Sequence, residues 1–176
     1  MTSGTSQAGR PGARARWHVT TGTRDPAAVE RLLAALPGWF GIESSNRGYV
    51  ADAHELPTYL ARPAGSPGAQ PAGVLLARRH FPESAEIHLL AVAPQLHRQG
   101  AGRALVAALT ADLVADGCEL LQVKTQGPGR PDEGYTRTRL FYASLGFLPL
   151  EERTDIWGPG SPCLFMVMPL AQSARA

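Results

Sequence analysis

The stretch Leu90-Ala91-Val92-Ala93-Pro94-Gln95-Leu96-His97-Arg98-Gln99-Gly100-Ala101-Gly102-Arg103-Ala104-Leu105 organises everything around it. Leu90 to Val92 ends an apolar run that starts at Ala85, and the run predicts a strand. Pro94 has no N–H to offer a ladder, so the strand stops there. Gly100-Ala101-Gly102 then predicts a tight turn into a helix to about Ala115, with Leu105, Leu109 and Leu113 on one face and a stop at Gly117. The first turn of such a helix leaves backbone N–H groups unpaired, and the dipole places about half a positive charge there. Glycines let an anion come close to the backbone, so the loop suits a phosphate or pyrophosphate, with Arg98 and Arg103 at its rim. A plain tight turn would read the same way in composition. The Walker pattern is absent because no Lys-Ser/Thr follows, and the Rossmann fingerprint fails because its third glycine falls on Leu105.

Working outward, Trp17-His18-Val19-Thr20 predicts a first strand. Asp25 and Pro26 predict the cap and first turn of a helix carrying Val29, Leu32, Leu33 and Leu36, stopped by Pro37-Gly38. Residues 39–55 read as an aromatic corner and a second short helix, and 57–62 as a strand. The Gly/Pro-rich stretch 63–73 suits a hairpin loop. Strands follow at 74–81 and 85–92, then the helix already described and a strand at 119–125. A helix opens at Asp132-Glu133 and closes at Gly146, before two last strands at about 147–157 and 163–170. The order β-α-α-β-β-β-α-β-α-β-β predicts an α/β fold: a mixed sheet with helices on its faces. The last strand is apolar on both faces, which predicts burial on both sides, in part by a second subunit in a homodimer.

The 176 residues predict one domain at 16–171, between a flexible tail at 1–15 and a short tail at 172–176. Hydrophobic residues at 44% and charged residues at 18% fit a globular chain rather than a disordered one. No apolar run reaches the roughly 18 residues of a membrane span, and the N-terminal stretch has no secretory apolar segment. Formal charge is +2, and Arg10, Arg14 and Arg16 supply three positives, so no nucleic-acid surface is expected. Cys118 and Cys163 lack metal-ligand spacing and read as buried thiols of a cytoplasmic protein; no metal site is expected.

Val92-Ala93-Pro94, five residues, then Gly100-Ala101-Gly102 and an apolar helix resembles the acetyl-CoA signature of the GNAT N-acetyltransferase superfamily. Arg139-Leu140-Phe141-Tyr142-Ala143-Ser144-Leu145-Gly146-Phe147 resembles the second signature, and the element order is the GNAT order over about residues 16–171. The ending from Trp157 to Val167 is similar to that of a subgroup of small bacterial GNAT proteins without a settled substrate. The resemblance implies that acetyl-CoA is the acyl donor. It implies that the backbone of Leu90, Ala91 and Val92 pairs with the pantetheine arm. His97, Arg98, Gln99, Gly100, Ala101, Gly102 and Arg103 would hold the pyrophosphate. His97 departs from the usual Gln or Arg, and Tyr135 stands where many members have an Asn that contacts the cofactor.

Tyr142 matches the GNAT tyrosine that faces the cofactor sulfur. A phenol near pKa 10 cannot easily protonate a thiolate near 8.5, so hydrogen-bond stabilisation of the departing sulfur is the expected role. Packing beside Phe141 and Leu145 is the plain structural alternative. An alkylamine is almost all ammonium at neutral pH, so a base is useful. Glu86 is the first candidate, by resemblance to histone-type members, and His88 the second; water alone serves many members. Alternation places Glu86, His88, Leu90 and Val92 on one strand face. An ion pair of Glu86 with Arg78 or Arg79 is the competing reading. Trp39, Phe40 and Tyr49 fall where the superfamily shapes its acceptor pocket, with Glu43, Asp52, His54 and Glu55 nearby; an aromatic corner over the core would explain the same residues.

The expected activity is transfer of acetyl from acetyl-CoA to a primary amine by direct attack. The acceptor, small molecule or peptide, is not legible. Two other readings remain at this point: a non-catalytic acyl-CoA-binding module, and an acetyltransferase for protein N-termini or lysines.

Overall fold

The structure is a computed structural model that describes residues 16–170. The expected tails at 1–15 and 172–176 lie outside the described residues. β1 (Trp17–Thr23) leads to α1 (Pro26–Ala34), where Asp25 Oδ1 accepts from the Ala28 N–H at 2.9 Å and Pro26 occupies the first turn. α2 (Glu43–Asp52) has no side-chain cap and no buried residue of its own. Then come β2 (Thr58–Pro63), β3 (Gly73–Phe81), β4 (Ser84–Val92), a single 3₁₀ turn (Pro94–Leu96), α3 (Ala101–Ala115), β5 (Leu120–Gln126), α4 (Glu133–Ala143), β6 (Leu148–Arg153) and β7 (Cys163–Pro169). The predicted order is borne out. β6 ends four residues early, because Arg153 turns back to grip Asp155 at 2.6 Å and the chain leaves the sheet.

The strands form one sheet in the order β1-β2-β3-β4-β5-β7-β6. Every neighbouring pair is antiparallel except β4 with β5, which is parallel. That parallel ladder is short, running from Ser84 opposite Leu120 to Ile87 opposite Val123. Beyond it β4 continues against β3 as far as Val92, and β5 continues against β7 as far as Gln126. The sheet therefore opens into a fork between β4 and β5.

A β-bulge sits at the mouth of the fork. Leu76 faces Leu89 and Ala77 faces Ile87, which leaves His88 as an extra residue on β4. A bulge bends its strand and increases the local twist. It also corrects the expected alternation. Glu86 and His88 stay together on the α1/α2 side, but Leu90 and Val92 pass to the α3/α4 side.

Two apolar cores cover the two faces. On one, Leu105, Leu109 and Leu113 of α3 pack with Ile87, Val123, Tyr142 and Phe147. On the other, Val29, Leu32 and Leu33 of α1 pack against Leu60, Val74, Leu76 and Leu89. Within this one chain the two faces of β7 are covered unequally. Leu164 and Met166 are buried in the first core, whereas Phe165 and Val167 on the opposite face are half-buried, since α1 and α2 lie over β2 to β4 only. No helix among the described residues is long and apolar enough to cross a membrane.

Candidate active site

The turn before α3 is built to present N–H groups. Arg98 adopts φ +59° and Gly100 φ +92°, and alternation of this kind with right-handed residues aims successive amides into one concavity. α3 has no side-chain cap, so its leading amides stay free for a ligand. The Trp17 indole donates to the Gln99 carbonyl at 2.7 Å, which turns the amide of the same trans peptide, the Gly100 N–H, away from β1. The Gln99 side chain is held by Arg16 and by the Gln95 carbonyl. Arg98 and Arg103 are exposed at the rim, Arg103 donating to Ser144 Oγ at 3.1 Å. Ala101 is buried at the start of α3. At Gly102 a Cβ would come within 3.2 Å of Phe141 Cζ, so this glycine lets α3 lie close to α4. The turn can hold a diphosphate-like anion.

His97 is not turned toward that concavity. Its Nε2 donates to the Val92 carbonyl at 2.7 Å, and its ring stands edge-on to Trp39 with centroids 5.7 Å apart. Tyr135, the other departing position, donates its hydroxyl to the Trp39 carbonyl at 3.1 Å. Trp39 thus spans the fork, touching the turn after β4 on one side and the start of α4 on the other. Leu90 and Val92 are half-buried against the first core and Ala91 is buried in the second; their edge toward β5 has no strand partner.

Behind the fork, Tyr142 is packed between Phe141 and Phe147, with ring centroids 5.2 and 5.4 Å away. Its hydroxyl has no hydrogen-bond partner among the described residues. Burial, and next the Tyr49 phenol across the fork, push its pKa well above that of a free phenol, so it stays protonated. Thr125 on the β5 arm is buried, and its Oγ1 is unpartnered among the described residues.

On the α1/α2 side the fork opens into a cavity of about 210 Å³, walled by Tyr49, Arg78, His80, Glu86, Ile87, His88, Lys124 and Trp157. Glu86, 4% exposed, accepts from Lys124 Nζ at 3.0 Å on both oxygens, from His80 Nε2 at 2.7 Å and from Gln122 at 3.3 Å. Burial acts to raise its pKa, but the bonds from Lys124 and His80 outweigh burial and hold the carboxyl below its ordinary value. The ion pair foreseen for Glu86 therefore exists with different partners. Arg78 instead reaches Asp52 at 3.1 Å, and Arg79 donates to the Phe81 and Pro82 carbonyls.

His88 Nε2 lies 2.7 Å from Asp52 Oδ2, and its ring meets Tyr49 edge-on at 5.3 Å. A carboxylate only accepts, so Nε2 carries a proton, and in the neutral ring Nδ1 then presents a lone pair. Phe40 packs edge-on against Tyr49 at 6.1 Å, so of the aromatic corner only Tyr49 reaches the cavity wall. Glu43 pairs with Arg47, and His54 and Glu55 are exposed away from the cavity. Lys124, His80 and Trp157 carry no sequence signal for this site, because β3, β5 and the β6–β7 loop meet only through the sheet. Both cysteines are buried, Cys118 with its Sγ 3.3 Å from the Glu83 carbonyl, and no cluster able to hold a metal occurs among the described residues.

A forked mixed sheet thus joins an amide-lined turn at one end to a charged cavity at the other. The acetyltransferase (GNAT) family model matches residues 28–147, and the chain belongs to that family. Solved structures share the architecture. A protein from Desulfovibrio desulfuricans assigned to the GNAT family aligns with a TM-score of 0.74 at 19% identity, over 88% of this chain and 99% of its own. The ribosomal-protein-S18-alanine N-acetyltransferase of Escherichia coli gives 0.71 at 18% identity, over 90% and 97%. A GNAT-family acetyltransferase from Elizabethkingia anophelis with acetyl-CoA bound gives 0.64 at 18%, over 89% and 100%. No curated protein sequence matches the chain.

Proposed function

We propose that this protein is an acetyl-CoA-dependent N-acetyltransferase that acetylates a primary amine by direct attack, and that it works in the cytoplasm. The observation that carries the reading is the fork: one strand, β4, joins the amide-lined turn to the charged cavity, with Tyr142 beside the opening. The acetyl-CoA in the Elizabethkingia structure supports the choice of donor. The residues present fit such a donor, since the turn offers free amides to a diphosphate and Thr125 Oγ1 is a buried polar atom in need of a partner. When bound, acetyl-CoA supplies a thioester activated toward amines.

In this reading Arg98 to Arg103 hold the diphosphate through backbone amides, and the free edge of Leu90 to Val92 lines the pantetheine arm. The Val92 carbonyl, which already accepts from His97, has a second lone pair to offer the arm. His88 takes the proton of the attacking amine at Nδ1, with Asp52 fixing its ring from the other nitrogen. Glu86 is the poorer base, because Lys124 and His80 already occupy its carboxylate. Tyr142 keeps its proton and donates a hydrogen bond to the departing sulfur. Titration calorimetry with acetyl-CoA tests the reading, using wild type and Gly100→Glu. The variant forces a bulky, negative side chain onto a φ of +92° next to the Trp17 indole, which strains the turn that aims the amides and adds negative charge beside it. Micromolar binding by wild type and a loss of about 100-fold or more in a folded variant are expected; no binding by folded wild type at millimolar acetyl-CoA would overturn it.

A further inference from the structure

We propose that the acceptor is a small amine that also bears a carboxylate, of the α-amino-acid class, and that Arg78 is the group that reads the carboxylate. The inference rests on the acetyltransferase reading above and concerns the charged cavity of that same site. Size comes first. A space of about 210 Å³ has room for a small amine such as an amino acid.

Charge decides the class. Both carboxylates at the cavity are already matched, Glu86 by Lys124 and His80, and Asp52 by Arg78 and His88. With neutral histidines the four fixed charges cancel, so a polyamine finds no unspent negative charge there. Arg78 does have unspent donors. Only its Nη2 is engaged, 3.1 Å from Asp52 and 3.4 Å from His88; Nε and Nη1 have no partner among the described residues. The planar fork of a guanidinium matches a carboxylate with two parallel hydrogen bonds. Because Arg78 Nη2 lies 3.4 Å from the His88 ring, a carboxylate held on Arg78 keeps an amine one or two carbons away beside that imidazole. Trp157, 45% exposed at the wall, offers a flat apolar surface to the rest of the molecule.

The test uses the full chain, free-thiol release from acetyl-CoA, and the proteinogenic amino acids compared with their carboxamides and with spermidine. At least one amino acid is expected to exceed its own amide in kcat/KM by tenfold or more, with spermidine below both. In Arg78→Ala that preference should vanish, the amino acid's kcat/KM falling to that of its own amide, while the acetyl-CoA Kd stays within about twofold. Arg78→Lys, which keeps charge without the fork, should retain part of the preference and guards against a folding defect in the alanine variant. Equal or better turnover of amides or spermidine overturns the proposal. So does acetyl-CoA binding without turnover of any amino acid, and in that case the donor reading stands. Failure to bind acetyl-CoA removes both readings together.

Discussion

At Tyr142 two demands meet in one side chain. Its ring completes the core between Phe141 and Phe147, and its hydroxyl sits unbonded at the fork. Removing that oxygen keeps the packing and deletes only the polar atom. Tyr142→Phe is therefore expected to keep its thermal midpoint and its acetyl-CoA affinity while kcat falls about 100-fold, read by calorimetry and thiol release side by side. Unchanged kcat would show that the oxygen is idle, and would favour a non-catalytic acyl-CoA-binding module if no amine is turned over. Thr125 poses the reverse case. A buried hydroxyl without a partner costs free energy, so Thr125→Val should raise stability by about 1 kcal/mol in denaturant unfolding. If the hydroxyl faces the donor, the same variant should bind acetyl-CoA several-fold more weakly; a destabilised Thr125→Val would mean the oxygen is bonded after all.

Among the elements, α3 and α4 meet closely enough for an added side chain to disturb them. Gly102 lets Phe141 approach to where a Cβ would be only 3.2 Å away. Gly102→Val should cost about 2 kcal/mol through overpacking, and pairing it with Phe141→Leu should recover most of that loss, as unfolding curves of the three variants would reveal. Additive losses would mean that the helices do not meet at this pair. The β4 bulge matters at the same scale. By inserting His88, it keeps the imidazole with Glu86 on the cavity side and sends Leu90 and Val92 to the opposite core, so one strand serves two faces within seven residues.

The molecule as a whole carries four tyrosines, Tyr49, Tyr59, Tyr135 and Tyr142, and all have raised pKa values with burial as the first cause. Above about pH 10 the unfolded chain loses phenolic protons that the native one keeps, so unfolding becomes easier as pH rises. The stability these groups contribute is thus present below that pH and lost above it. Thermal midpoints should stay level from about pH 7 to 9 and drop steeply beyond about pH 10, less steeply in Tyr59→Phe, which lacks the hydroxyl bonded to Asp112 at 2.9 Å. A level midpoint through about pH 11 would contradict this. Much of the fold was legible because its signals are local: Asp25-Pro26 starts a helix, Pro94 ends a strand, Gly100 turns the chain, and the spacing of Leu105, Leu109 and Leu113 marks a buried face. These residues act through their own backbone or their own helix, so they could be read in any context. The turn before α3 belongs with them, apart from His97, which was expected at the phosphate and is drawn to the Val92 carbonyl instead. The cavity was not legible. Glu86 could not be matched with Lys124, 38 positions on, nor His88 with Asp52, 36 positions back, until the sheet placed β4 beside β5 and α2 across the bulge. Local conformational preference was thus written in the sequence itself, whereas the pairing of charges across strands, and with it the chemistry of the acceptor side, depended on non-local register that only the folded sheet decided.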